Sequence, residues 1–256
     1  MQYVCGLMQR VLLNLIVFIT VIQSKAMSEK NEDLNPRSVA IIMDGNRRWA
    51  RSKNLSDQEG HTAGYEKLIE FLDWAIELEV RYVTIYAFST ENWKRSQKEI
   101  DHLQKLIRRL GEKDKKRLIE KEIKVTFIGE HGRFSEATRK RIKETEEATK
   151  DCKKIHLTIA FSYGGRQEIV MAAEAWARSN FKATEENFEK FLQTSHMPDP
   201  DIVIRPGKEK RLSNFLLWQV AYSELFFVDT FWPAFSKEDF LKIIDSFKQR
   251  SRRRGA

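Results

Sequence analysis

Ser38-Val-Ala-Ile-Ile-Met-Asp44-Gly-Asn-Arg-Arg-Trp49-Ala-Arg51 is the stretch that decides the fold. Residues 39–43 are apolar without a break, and the run stops at an acid, a glycine and an amide. Such a run reads as a strand buried on both faces of a parallel sheet. Gly45 permits a tight turn, and the Trp49 segment reads as the start of a helix. Asp44 is therefore expected at the carboxyl end of a strand, where open α/β sheets hold their ligands. A carboxylate there can hold Mg²⁺. Arg47, Arg48 and Arg51, with the amides of a helix start, suit phosphate oxygens. One acid among several arginines points to a metal-bound phosphate or diphosphate.

Working outward, strand-like runs rich in β-branched and aromatic residues recur at 81–87, 123–129, 155–161, 201–205 and 224–228. Helical patterns fill the intervals at 63–79, 98–122, 135–149, 167–178, 185–193, 212–222 and 237–249. This alternation predicts an α/β fold with a central, mostly parallel sheet of about six strands flanked by helices. The 98–122 pattern places Ile100, Leu103, Leu106, Ile107 and Leu110 on one face. It reads either as an ordinary amphipathic helix or as one wall of a long apolar groove.

The chain has 256 residues, 41% of them hydrophobic, enough for one large α/β domain or two small ones. A formal charge of +8 invites a nucleic-acid reading. No such signature accompanies it, and the expectation is no nucleic-acid partner. Two cysteines, Cys5 and Cys152, argue against a disulfide scaffold or a cysteine zinc site. Residues 1–26 read as an apolar targeting or anchor segment, because 11–22 is apolar and too short for a comfortable membrane span. Three readings stand: a cleaved or uncleaved targeting segment, a membrane anchor, or an upstream extension with Met27 as the working start. Residues 27–37 read as a polar linker and 38–256 as the catalytic domain.

The predicted strand ends collect polar groups: Asp44-Gly-Asn46, Ser89-Thr-Glu-Asn92-Trp93-Lys-Arg95, Tyr163-Gly-Gly-Arg166 and Arg205 through Asn214. Together they build one site from several loops. The blocks Ile42-Met-Asp-Gly-Asn-Arg-Arg-Trp49, Gly60-His61-Thr-Ala-Gly64, Tyr86-Ala-Phe-Ser-Thr-Glu-Asn-Trp-Lys-Arg95 and Arg211-Leu-Ser-Asn-Phe-Leu-Leu-Trp-Gln219 resemble the cis-prenyltransferases, the Z-type polyprenyl diphosphate synthases. The resemblance runs from about Ser38 to the carboxyl end, and several ordered blocks are more specific than one short motif.

The resemblance implies an elongated apolar tunnel, a homodimer, and addition of isopentenyl diphosphate to an allylic diphosphate such as farnesyl diphosphate, each new double bond being cis. It makes Asp44 the acid that positions Mg²⁺, with Glu224 helping to hold the metal. Gly45, Asn46, Arg47, Arg48 and His61 would surround the allylic diphosphate. Arg205, Arg211 and Ser213 would hold isopentenyl diphosphate. Ser89, Asn92 and Arg95 fall in the loop that closes over the reacting carbons, with Asn92 steering proton removal. Trp49 and Trp93 would line the prenyl chain. The ending Arg253-Arg254-Gly255 fits a tail that reaches across the dimer to the isopentenyl diphosphate site. The implied location is the cytoplasm, at a membrane surface if the amino-terminal segment anchors, the endoplasmic reticulum if the source is eukaryotic.

Plainer alternatives stand beside these roles: Asp44 as a helix cap, His61 as a helix-start residue, Glu224 as an exposed carboxylate, the tryptophans as core, and Ser89 and Asn92 as turn formers. The chain also departs from the family. Pro206 and Lys208 replace residues of a glycine-containing loop, so Lys208 either strains a left-handed position or offers its ammonium to diphosphate. Asp57 stands where many members have arginine, unfavourable near a diphosphate unless it points away or joins the metal. A partner-dependent, non-catalytic subunit is the competing function.

Overall fold

The computed structural model describes residues 35–250. Six strands form one sheet: β1 (Ser38–Ile42), β2 (Tyr82–Ser89), β3 (Ile123–Ile128), β4 (Ile155–Tyr163), β5 (Ile202–Pro206) and β6 (Glu224–Val228). Their order is β3-β4-β2-β1-β5-β6, and every pairing is parallel. β1 is buried along its whole length between β2 and β5. Chain connections leave β1 on one side and return on the other, the switch point at which open parallel sheets hold ligands.

Alternation along the strands sorts side chains onto two faces. Ile41, Ile85, Ile159 and Ile204 join one core with the apolar stripes of α2 (Asp57–Glu77) and α3 (Gln97–Glu112). Ala40, Ile42, Tyr86 and Val203 join a second with Phe215 and Leu216. Full burial of each large apolar side chain is worth about 1.5–3 kcal/mol. The remaining helices are α1 (Asn46–Ser52), α4 (Lys115–Glu120), α5 (Glu136–Thr149), α6 (Gly165–Ala177), α7 (Glu185–Glu189) and α8 (Lys237–Gln249). Local chemistry sets several starts: Ser56 and Glu59 form a reciprocal capping box at α2, and Ser236 with Asp239 does so at α8.

Four predicted helices differ from the structure: the one over 63–79 begins already at Asp57, that over 185–193 ends at Glu189, and two differ more deeply. The 98–122 pattern divides, because α3 ends at Glu112 and α4 begins at Lys115, with Asp114 between them accepting a hydrogen bond from Tyr65. The 212–222 segment has helical apolar spacing, yet Ser213, Asn214 and Leu216 take φ of 51°, 67° and 44°. Its backbone is committed elsewhere: the Arg211 carbonyl accepts from Arg205 and the Asn214 carbonyl from Gly165. Phe215 still packs flat on Tyr86, with ring centroids 4.6 Å apart. The expected roles at 1–34, Arg253 and Gly255 lie outside the described residues.

Candidate active site

Asp44 follows β1 and meets two arginines. Its Oδ1 accepts from the Gly45 N–H at 2.6 Å and from Arg48 Nη2 at 3.0 Å. Its Oδ2 accepts from Arg205 Nη2 at 2.8 Å. Arg205 comes from β5, the neighbour of β1, and its side chain is 5% exposed. Its remaining nitrogen, Nη1, donates to Ser213 Oγ at 2.8 Å and to the Arg211 carbonyl. Glu209 links Arg48, at 3.5 Å, to a third arginine, Arg211. The Arg48 guanidinium also lies 5.3 Å above the Phe231 ring. Close backbone approach makes this possible: at Gly207, φ +96°, an added Cβ would sit 3.0 Å from Arg48 Nη2 and 3.2 Å from the Asp44 carbonyl carbon.

A second cluster forms where α2 and α3 meet. The buried Glu99 carboxylate accepts from Arg95 at 2.8 Å, shares a hydrogen bond with His61 Nε2 at 2.9 Å and lies 3.5 Å from Arg47. Burial lowers the His61 pKa, and the bond to Glu99 offsets part of that fall. Burial likewise lowers that of Arg95, with Glu99 opposing. Asn92 Oδ1 accepts from the Ser89 N–H at 3.1 Å, which shapes the turn over Thr90–Lys94. The Asn46 side chain donates to the Met43 carbonyl at 3.2 Å.

These groups surround a cavity of about 890 Å³. Asp44, Gly45, Asn46, Arg47, Arg48, His61, Ser89, Asn92, Arg95, Arg205, Arg211 and Ser213 all line it. So do Leu68, Leu103, Leu106, Ile107, Leu110 and Ile159, which make part of its lining aliphatic. From Leu103 to Leu110, the lining part of α3, is seven residues of helix, about 10 Å at 1.5 Å per residue.

Other predicted positions fall elsewhere. Glu224 opens β6, level with Ile202 and hence with Val39, and pairs with Arg250. That is the amino edge of the sheet, about 16 Å of strand back from Asp44. Within one chain, Glu224 therefore does not join Asp44 as a second metal ligand. The Trp93 indole points into the core, donating to Ser162 Oγ at 2.9 Å and packing on Phe88 and Phe134. Neither Trp93 nor Trp49 lines the cavity. Lys208 takes φ +69°, the left-handed conformation that strains an ordinary L-residue, and it is exposed outside the lining. Asp57 turns to Arg51 in a fork of 2.9 and 3.0 Å, and that guanidinium lowers its pKa. The acid thus carries its own counter-charge.

Glu99, Glu209, Arg166 and Asn214 were not assigned roles from the sequence. Glu99 had a legible but misleading signal: Ser96-x-x-Glu99 spells a helix cap, and Ser96 does cap the Glu99 N–H at 3.3 Å. Asn214 joins three loops, through its carbonyl to Gly165, its Oδ1 to Arg166 and its Nδ2 to Glu91.

Known proteins share this architecture. A family model described as "Putative undecaprenyl diphosphate synthase" matches residues 42–255. A tritrans,polycis-undecaprenyl-diphosphate synthase (geranylgeranyl-diphosphate specific) of Thermoplasma volcanium is 44% identical, covering 90% of this chain and 92% of that protein. An isoprenyl transferase of Thermotoga maritima is 43% identical over 86% and 97%. The crystal structure of lavandulyl diphosphate synthase from Lavandula x intermedia, in complex with dimethylallyl diphosphate, superposes with a TM-score of 0.84 at 33% identity, over 88% of this chain and all of that one. Sequence, sheet topology and strand-end chemistry agree, and the chain belongs to the undecaprenyl diphosphate synthase family of cis-prenyltransferases.

Proposed function

We propose that the chain condenses isopentenyl diphosphate onto an allylic diphosphate, farnesyl diphosphate being the favoured acceptor, and forms a cis double bond at each addition to give a Z-polyprenyl diphosphate. The observation that carries this reading is one cavity lined both by arginines from several strand ends and by aliphatic side chains, the two chemistries of a diphosphate with a hydrocarbon tail. The allylic carbon–oxygen bond breaks with its electron pair going to diphosphate. The isopentenyl double bond supplies the pair for the new carbon–carbon bond, and a proton then leaves.

Negative charge grows on the departing oxygen, so fixed cations there lower the barrier. Arg47, Arg48 and Arg51 follow the β1 turn and would receive that group. Arg205, Arg211 and Ser213 would hold the other diphosphate. Arg205 is set before substrate arrives, by Asp44 and Ser213. Ser89, Asn92 and Arg95 border the reacting carbons, and the aliphatic residues of α3 form the wall of the tunnel.

The donor set at Asp44 fits Mg²⁺. Among the described residues no group of three or more His, Cys, Asp or Glu converges. Mg²⁺ commonly takes one or two carboxylates and completes its shell with substrate phosphates and water. Asp44 at an arginine-lined mouth supplies that single carboxylate. Bound there, Mg²⁺ would neutralise charge on diphosphate oxygens. A homodimer is the assembly proposed, with the Arg253–Gly255 tail serving the neighbouring site.

No helix among the described residues is long and apolar enough to cross a membrane. The proposed location is the cytoplasm, where such diphosphates are made, at a membrane surface if the amino-terminal segment anchors.

Purified protein supplied with Mg²⁺, labelled isopentenyl diphosphate and dimethylallyl, farnesyl or geranylgeranyl diphosphate tests the reading. Metal-dependent incorporation with farnesyl diphosphate as the best acceptor is expected. Best use of geranylgeranyl diphosphate would instead align the chain with the named specificity of the Thermoplasma relative. No incorporation by folded protein would overturn self-sufficient catalysis and leave a partner-dependent subunit.

A further inference from the structure

We propose that the hydrogen bond from Tyr65 to Asp114 is a latch at the far end of the cavity, and that its opening determines how long a hydrocarbon chain the protein accommodates. This rests on the reading that the cavity receives a prenyl tail.

The position follows from the helices. Tyr65 of α2 and Leu110 of α3 both line the cavity, Tyr65 one helical turn beyond His61 and Leu110 about three turns beyond the Glu99 that His61 meets. Tyr65 Oη donates to Asp114 Oδ2 at 2.5 Å. Asp114 lies in the two-residue break between α3 and α4, so the bond ties α2 to a place where the helical wall is interrupted. Arg109 lies 4.8 Å above the Tyr65 ring and pairs with Glu66 at 2.7 Å. Exposure rises outward from Tyr65 at 7%, through the Asp114 and Arg109 side chains at 18 and 31%, to Glu66 at 53%. Tyr65, which lines the cavity, is thus linked through Asp114 and Arg109 to side chains that reach water.

Burial and the neighbouring Asp114 carboxylate push the Tyr65 hydroxyl well above its ordinary pKa, so it remains a donor. The bond is short and charge-assisted, the stronger class of hydrogen bond. A buried aromatic held only by packing would act through its bulk. A latched one acts through its hydroxyl, and Tyr65→Phe separates the two because it keeps the ring and removes the donor.

The test is binding of saturated alkyl diphosphates of increasing chain length, which needs no turnover. Affinity should rise about fourfold per added methylene while the tail still finds apolar surface. It should then level off where the tail meets the cavity end. For Tyr65→Phe and Asp114→Ala the plateau should move to longer chains. For Asp114→Asn, which keeps an acceptor, it should stay near wild type. Thermal melts would confirm that each variant is folded. The same plateau in wild type, Tyr65→Phe and Asp114→Ala overturns the latch. A shift only on shrinking the ring, as in Tyr65→Ala, also overturns it, because bulk then suffices. Absence of alkyl diphosphate binding in wild type overturns both the latch and the prenyl reading of the cavity. A shifted plateau in protein that incorporates no isopentenyl diphosphate keeps the latch and rejects the proposed reaction.

Discussion

Arg205 approaches Asp44 side-on, placing Nη2 at 2.8 Å and Nε at 3.3 Å from the same carboxylate oxygen. A guanidinium this buried needs that carboxylate, since an unpaired buried charge is strongly destabilising. Arg48 sits on the other oxygen, so removing the acid also leaves two cations facing each other. Asp44→Ala should therefore cost about 1–3 kcal/mol of stability through lost charge-assisted hydrogen bonds. Isopentenyl incorporation should fall by at least about 10²–10³-fold, the usual cost of removing an electrostatic group from a reacting centre. Thermal melts and product assays on the same preparation check both. Full activity in that variant would overturn the role given to Asp44.

Glu99 acts through the groups it holds. Glu99→Gln should release Arg47 and weaken the seats of His61 and Arg95. Loss of about 1.5–3 kcal/mol of charge-assisted bonding corresponds to roughly a tenfold to hundredfold fall in kcat/KM. Because Glu99 opposes the depression of the His61 pKa, that pKa should drop further in the variant. Imidazole chemical shifts followed against pH read this directly. An unmoved His61 titration would show that the pair does not couple.

Lys208 carries a backbone conformation that glycine tolerates without penalty. The left-handed region costs an ordinary L-residue about 1–2 kcal/mol. Glycine returns part of this through the entropy it loses on folding, about 0.5–1 kcal/mol. Lys208→Gly should thus stabilise the protein by up to about 1 kcal/mol, visible as a higher melting temperature. Since Lys208 lies outside the cavity lining, incorporation should be little changed. A marked loss of activity would favour the reading in which its ammonium meets diphosphate.

Outside the cavity lining, His156 of β4 and His196 lie with ring centroids 4.9 Å apart. Burial lowers the His156 pKa to about 4, with His196 and Lys124 adding to the effect. The unfolded chain therefore binds a proton that the folded chain refuses between about pH 6.5 and 4. Stability contributed by the neutral ring is full above about pH 6.5 and declines as pH falls through that window. His156→Gln should flatten the fall in melting temperature between pH 6.5 and 5. An unchanged slope would remove His156 from the acid response.

The strands were legible because burial leaves a local mark: unbroken or alternating β-branched runs place all six within one or two residues of their observed bounds at most ends. The first-strand reading also placed Asp44 correctly, since the residue after a buried parallel strand has one place to be. What the sequence hid depends on distant partners. Leu212, Phe215 and Leu216 repeat like a helix, yet the backbone there bends because Arg205 and Gly165 draw on its carbonyls. The contacts of Glu99 to His61 and Arg47 arise only when α2 packs on α3. Trp93 looked like tunnel wall because nothing local reveals that its indole finds Ser162. Glu224 was legible as a strand start, but which edge of the sheet it occupies follows from register.

The order in which the strands are made is not the order in which they lie. β1 is the earliest in the chain, and its second neighbour, β5, arrives 161 residues after Asp44, at Arg205. During synthesis, which proceeds from the amino terminus, Asp44 and Arg48 exist long before the partner that completes their charge balance. An unfinished chain therefore carries the acid without its buried cation. Recovery of transfer activity on refolding would consequently mark the docking of β5 beside β1, a long-range event of the slow class. Regain of helical signal, which local contacts supply, would come earlier.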